Sequence, residues 1–500
     1  MNQIPADYRV PDVLTEVDNS QANAGGASQL RALLCGEKLS AGTAAFDVPV
    51  LVTSEADAIG KFGRGSVLAR MCAAFKRNNP FGQLWAAPLD DSDGSAAAGS
   101  IVFGATATGA GVISLYVGGQ KVAFAVPLGR TATQQGDDFV AACALNPDLP
   151  VTVVNDSGTV TPTAKNKGPL GNFIDLRVNY APASGEVLPA GVTVAITPMS
   201  GGATPPDLTT LISNLADSLF DFVGSPWCGV AGASDATSLN AWQDCMDAVS
   251  GRWSPFREVY GHVYGAKFDT IANLVTLGNG RNDPHMTVLA GAGVKMPTPP
   301  WEILGMAVGR ISASIAVHPA QPTQTLELIG ALPPAEVDRF GKPDRQTLLD
   351  NGIGTLYVNA SGKVCIERDI STYQLNPQGS PDTSWLDSNT PHQLAYYLRA
   401  RKAALTARFA RAILVDSPRG IQPGIPIATP SLIAAAERAI YADMCTIAVM
   451  ENAATFASLL SVTRDPLDAN RVNSILPPDL ANQLRVLAGS AQLRLQFPVA

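Results

Sequence analysis

Between Gln29 and Leu89 short apolar runs alternate with one amphipathic stretch. Arg31-Ala32-Leu33-Leu34-Cys35-Gly36, Val48 to Val52 and Leu84-Trp85-Ala86-Ala87-Pro88 are too short for helices and read as buried strands. From Ser66 to Arg77 the period changes to 3.6. Val67, Met71, Ala74 and Phe75 share one stripe, and Asn78-Asn79-Pro80 closes the helix. Strand, helix, strand in this order predicts βαβ winding. Residues 1–20 hold Pro5 and Pro11 followed by Val13-Leu14-Thr15-Glu16-Val17, a strand-prone run without a helical period, which predicts an extended arm.

Residues 93–204 read differently. Gly, Ala, Thr and Val dominate, and β runs recur at Ile113 to Val117, Lys121 to Val126, Val151 to Val154, Asp175 to Asn179 and Val192 to Ile196. Gly118-Gly119 supplies the positive φ of a tight hairpin turn, and a helix over Asp137 to Leu145 is expected to cover the strands. Winding resumes after Pro205-Pro206. Helices are expected at Leu208 to Leu219, Leu239 to Val249 and Asp269 to Leu277. Strands are expected at Asp221 to Gly224, Val259 to Val263 and Met286 to Ala290. Pro299-Pro300-Trp301 opens a further helix that runs on through Met306 to Ala316. The reading is an α/β domain formed by 21–92 and 205–340, interrupted by a β-rich insertion at 93–204.

A third region, 341–490, begins with a hairpin in which Thr355 to Val358 and Lys363 to Asp369 flank Asn359-Ala360-Ser361-Gly362. Helices follow, over His392 to Val415 and over Ser431 to Leu460. The second carries a stripe of Ile433, Ile440, Met444, Ile447 and Ala448. Gln492 to Phe497 alternates polar and apolar residues, so 491–500 reads as a terminal β-strand arm.

The 500 residues exceed the roughly 250–300 at which one core stops growing, in keeping with this division. Charged residues make up only 16%, against about 25% usually, and the net charge of −8 disfavours a general attraction to nucleic acid or anionic lipid. The seven cysteines show no CxxC or zinc-knuckle spacing and read as reduced core residues. No apolar run reaches the roughly 18 residues of a membrane span. The proline-bearing, charged N-terminus does not read as a signal peptide, so a soluble protein is expected.

Chemistry is hard to place. There is no G-x-S-x-G, H-E-x-x-H or phosphate-binding loop, and Ser361-Gly362-Lys363 falls in a hairpin turn. The histidines are His262, His285, His318 and His392. Asp283 and His285 are the only close acid and imidazole, and spacing alone makes no triad of them. No catalytic, cofactor-binding or metal-ligating residue is assigned. Two features stand out instead. Arg399, Arg401, Lys402, Arg408 and Arg411 lie within one helix with no acid between them, which reads as a solvated face or a contact for an acidic partner. The chain also ends in strand-prone segments with no hairpin partner adjacent in sequence, a liability unless each adds to a sheet of the same subunit or a neighbour.

Several segments, in order, resemble the contractile tail sheath protein of Mu-like phages. They are Ile4-Pro5 with the arm to Val17, Ala164-Lys165-Asn166-Lys167-Gly168-Pro169-Leu170-Gly171-Asn172, Arg252-Trp253-Ser254-Pro255-Phe256-Arg257 and Gly261 to Lys267. Pro297-Thr298-Pro299-Pro300-Trp301-Glu302 and Leu476-Pro477-Pro478-Asp479-Leu480-Ala481-Asn482-Gln483-Leu484-Arg485 complete the set, so that it spans nearly the whole chain.

The resemblance implies a non-catalytic, subtilisin-like α/β sheath core with an inserted β-rich domain, an α+β C-terminal sheath domain and extended terminal arms. It implies a structural subunit, not an enzyme, polymerising as stacked hexameric rings around the tail tube and contracting to drive the tube through the host envelope. Its implied partners are copies of itself, the tail tube protein, and the baseplate and tail terminator proteins, with no cofactor, no direct nucleic acid and no membrane insertion. Its implied location is the virion tail, after assembly in the host cytoplasm. Inter-subunit strand exchange would run through Val13, Leu14 and Val17 and through Leu493, Leu495 and Phe497. Arg399, Arg401 and Arg408 are the candidate tube or subunit contacts. The sheath of a phage-tail-like bacteriocin would look the same at this level, and an α/β hydrolase with a binding insertion is the reading from a different class.

Overall fold

The computed structural model describes residues 30–228, 234–417, 419, 422 and 424–494. Its centre is a six-stranded sheet in the order Met286–Ala290, His262–Lys267, Phe222–Gly224, Arg31–Glu37, Gln83–Leu89 and Val50–Val52. The first five strands are parallel and Val50–Val52 closes the edge antiparallel. Arg31–Glu37 is buried along nearly its whole length because helices cover both faces, which explains its unbroken apolar run.

Helices Val67–Asn78 and Pro300–Val317 lie on one face. An added methyl at Gly36 would stand 3.3 Å from Leu68, and one at Gly224 would reach Val308 and Leu304. Ser66 caps the first of these helices by accepting from the Ala69 amide. On the other face Trp85 meets Phe220 edge-on at 6.1 Å, and Cys35 comes near Cys245 of helix Ser234–Met246.

The stretch between Ser95 and Ala203, joined at its base by an antiparallel bridge, folds as a separate pair of sheets. One runs Thr193–Ser200, Ala98–Gly104, Thr159–Ala164, Val151–Asp156, and the other Gln120–Val126, Gly111–Val117, Leu176–Val178. Helix Ala132–Ala144 packs over them, with Phe103, Phe124 and Phe139 in mutual ring contact at 5.9–6.2 Å. Gly118 and Gly119 take φ of 53° and 78° at the hairpin turn.

The hairpin Thr355–Val358 with Val364–Arg368 is tied to the central sheet. Gly354 donates to the Val288 carbonyl at 2.9 Å and accepts from Ala290 at 2.8 Å. The main hydrophobic core accordingly continues past residue 340 through Leu348, Ile353, Leu356, Val364 and Ile366. A second, smaller core is built by Tyr397, Tyr441, Met444, Val449, Met450 and Phe456. Helices Asn389–Phe409, Pro430–Thr446 and Ala453–Leu459 supply most of it, and the hairpin Ser461–Arg464 with Val472–Ile475 follows them in the chain.

Several local expectations are corrected. The stretch read as one helix over Ser431 to Leu460 is two, because Ala448 and Asn452 both adopt φ of 56° and turn the chain. That turn lets Phe456 stack on Tyr441 at 3.7 Å. The basic helix stops at Phe409, and Ile413–Leu414 then pairs in parallel with Ile427–Ala428. The strand expected at Val259 to Val263 is His262–Lys267. Strands Ala98–Gly104 and Thr159–Ala164 and helices Glu55–Phe62 and Lys342–Asp350 carry too weak a pattern to be read from sequence.

Candidate functional site

Helix Asn389–Phe409 leaves the sheet with its cations already divided. Arg399 donates to Asp221 Oδ1 at 2.5 Å and to the Tyr260 carbonyl at 3.0 Å, fixing the helix to the start of strand Phe222–Gly224. Arg401 grips the fully buried Glu437 through both carboxylate oxygens at 2.6–3.0 Å, fixing it to helix Pro430–Thr446. Lys402 pairs with Glu258. Three of the five cations therefore serve within the chain. Arg408, exposed beside the Phe409 ring, and Arg411, also exposed, have no carboxylate partner among the described residues.

The histidines do not form a catalytic group. His262 Nε2 bonds Thr287 Oγ1 at 2.8 Å, but its Nδ1 has no partner among the described residues, so nothing orients it as a base. His392 Nε2 bonds the Tyr264 hydroxyl at 2.9 Å, and His285 stacks on Trp253 with ring centroids 4.1 Å apart. Burial holds all three imidazoles well below their ordinary range, to about 3 for His285 and His392. Asp283, set near His285 by the sequence, pairs instead with Arg281 at 2.7 Å. Among the described residues no group of His, Cys, Asp and Glu could hold a metal ion, and no helix is long and apolar enough to cross a membrane.

Of the chain ends, Val13, Leu14, Val17, Leu495 and Phe497 lie outside the described residues. Leu493 is described, in no strand and 91% exposed. The segment leading to it is fastened as far as Arg485. Glu451 donates to the Asp479 carbonyl, Ala481 to that of Val449, and Gln393 Nε2 to that of Ala481 at 3.0 Å. Arg485 reaches Asp387 at 3.0 Å. Beyond this clamp Val486 and Leu487 stand exposed.

Close to the same core, Ser461–Arg464 and Val472–Ile475 pair only with each other. Their outer edges thus present unpaired backbone groups among the described residues, a ready template for added strands. Sequence reading missed this hairpin, whose only signal is Asp465-Pro466 with Asp468-Ala469-Asn470 between two short β runs.

Comparison with known proteins completes the picture. Residues 201–372 match the phage tail sheath protein central domain. The Mu-like prophage FluMu tail sheath protein of Haemophilus influenzae is 35% identical over 496 residues, covering 99% of each chain. Among solved structures, a sheath tail protein from Listeria innocua aligns over 91% of this chain and 92% of its own at 12% identity, with a TM-score of 0.48. A chain of the anti-feeding prophage baseplate in its contracted state aligns over 99% of both at 11% identity, also with a TM-score of 0.48. Identity of 35% sustained from end to end means that this chain belongs to the phage tail sheath protein family, whose members are structural subunits and not enzymes.

Proposed function

We propose that this contractile tail sheath subunit is joined to its neighbours by exchange of its chain ends, with the hairpin Ser461–Arg464 and Val472–Ile475 as the acceptor. The observation that carries this reading is the pairing of a two-stranded sheet open on both edges with a C-terminal segment clamped at Arg485 and apolar beyond it. In it, Val13, Leu14 and Val17 of one neighbour and Leu493, Leu495 and Phe497 of another extend that hairpin by β-augmentation. At roughly 0.5–1.5 kcal/mol per backbone hydrogen bond, a strand of about six residues contributes several kcal/mol, enough to keep rings connected while other contacts rearrange.

Hexameric rings stacked on the tail tube, capped by baseplate and terminator proteins, are the assembly this linkage serves. The core, taken as subtilisin-like, and the insertion move as rigid bodies when the sheath shortens. Arg408 is the proposed contact to the tube or a neighbouring subunit, since Arg399 and Arg401 are neutralised within the chain. The work is done in the virion tail, after assembly in the host cytoplasm.

The test compares the full chain with one lacking residues 1–20 and 491–500 by electron microscopy and sedimentation. Striated tubes or rings lost on truncation are expected. Equal polymers from both would overturn the exchange.

A further inference from the structure

A cleft of about 210 Å³ opens at the amino end of the central sheet, beside the first described residue, Leu30. Ala32, Phe75, Ala313 and Ala316 line it, and Phe81 stands on its rim 92% exposed. Two of its polar lining residues, Asn79 and Ser312, are already satisfied within the chain. Asn79 Nδ2 donates to Ser312 Oγ at 3.0 Å and Asn79 Oδ1 accepts from the Gly82 amide at 2.8 Å. What remains is apolar surface with Gln83, and next to the lining residue Gly82 stands one cation, Lys76, which donates to the Gly82 carbonyl at 3.0 Å.

The length and composition of the chain ahead of Leu30 identify an occupant. Residues 18–29 are small or polar throughout, so the first large apolar side chains met on going back from Leu30 are Val17, Leu14 and Val13. Twelve residues span at most about 40 Å, ample for a return to a cleft that begins at their own root. Such a short tether also holds the run at an effective concentration in the millimolar range, above that of any free partner. Glu16, within the run, matches the charge of Lys76.

We propose that in the unassembled subunit Val13–Val17 folds back into this cleft, and that its release is the step that frees the N-terminal arm for a neighbouring subunit. The docking stands on the cleft and the tether alone; only what the arm does after release rests on the strand-exchange reading. Parking the arm in its own subunit would keep free subunits from linking before they meet a growing sheath, because each addition would first have to displace an intramolecular contact.

The test is hydrogen exchange on the unassembled full chain at low concentration, read by mass spectrometry. Amides of 13–17 should exchange at least tenfold more slowly than a free peptide of that sequence. They should speed up at least tenfold in Ala316→Trp, which fills the cleft from an exposed helix position. Leu14→Asp, which alters only the arm, should release protection around 79–83 and shorten the lag before polymerisation several-fold. Free-chain exchange of 13–17 in the unaltered subunit would overturn the proposal. So would protection that appears only as concentration rises, which would assign the cleft to another copy's arm. If protection behaves as expected while the chain lacking 1–20 still forms tubes, the docking stands and the exchange reading fails.

Discussion

Arg399 and Asp221 stand 178 residues apart, yet the guanidinium donates to the carboxylate at 2.5 Å and binds helix Asn389–Phe409 to the central sheet. Asp221 is 2% exposed, and among the described residues its other oxygen accepts only from the Arg31 amide at 2.8 Å. Removing the arginine leaves a buried carboxylate with one neutral donor. Arg399→Ala should cost about 3 kcal/mol in urea unfolding.

Arg408→Ala should change stability by no more than about 0.5 kcal/mol, because that side chain is exposed and makes no ion pair among the described residues. In the proposed contact role its effect should appear instead in polymerisation, measured by sedimentation. Comparing the two variants separates a fold contact from a surface contact.

Acid should weaken the fold through His262, His285 and His392. Burial depresses all three, so the unfolded chain takes up their protons near pH 6.5 while the folded chain does so only near pH 3 for His285 and His392, and well below 6.5 for His262. Their contribution is complete above about pH 6.5 and is lost as pH falls, by up to about 1.4 kcal/mol per pH unit for each. Glu37 opposes this, since burial raises it to about 8 and it favours the folded state at low pH. Urea midpoints at pH 7 and pH 5 should fall for the natural chain, and fall less for His392→Phe.

Gly278 lies so close to Asn351 that an added methyl would sit 1.8 Å from its carbonyl oxygen. Gly278→Ala should therefore separate helices Ile271–Asn279 and Lys342–Asp350 and cost about 2–3 kcal/mol by thermal or urea unfolding.

The Tyr441 hydroxyl donates to the Glu451 carbonyl at 2.8 Å, lies 3.1 Å from that of Asp479 and accepts from the Asp479 amide at 2.8 Å. Tyr441→Phe removes the hydroxyl partner of the Glu451 carbonyl and the Asp479 amide, while the Asp479 carbonyl keeps the Glu451 amide, at a cost of about 1–3 kcal/mol. Limited proteolysis should then cut more readily around 476–485, while the central sheet stays protected.

Elements whose period is set by their own burial were legible. Arg31–Glu37, Met286–Ala290, Pro300–Val317 and the Gly118-Gly119 hairpin appear within a few residues of their expected places. Where two short helices share one apolar stripe, as across Ala448 and Asn452, periodicity cannot reveal the turn, because the backbone there is set by Tyr441 and Phe456 closing on each other.

The basic helix teaches the same lesson for the candidate site. By itself the sequence determined which residues carry charge, where the chain is strand-prone, and that nothing is spaced for catalysis. Only the tertiary structure decided that Arg399 and Arg401 face buried carboxylates and that, among the described residues, His262, His285 and His392 are enclosed without an orienting acid and Ser461–Ile475 keeps two open edges. A charge's partner depends on which distant element folds against it, and that pairing is fixed by packing across the whole chain, not by the spacing of near neighbours.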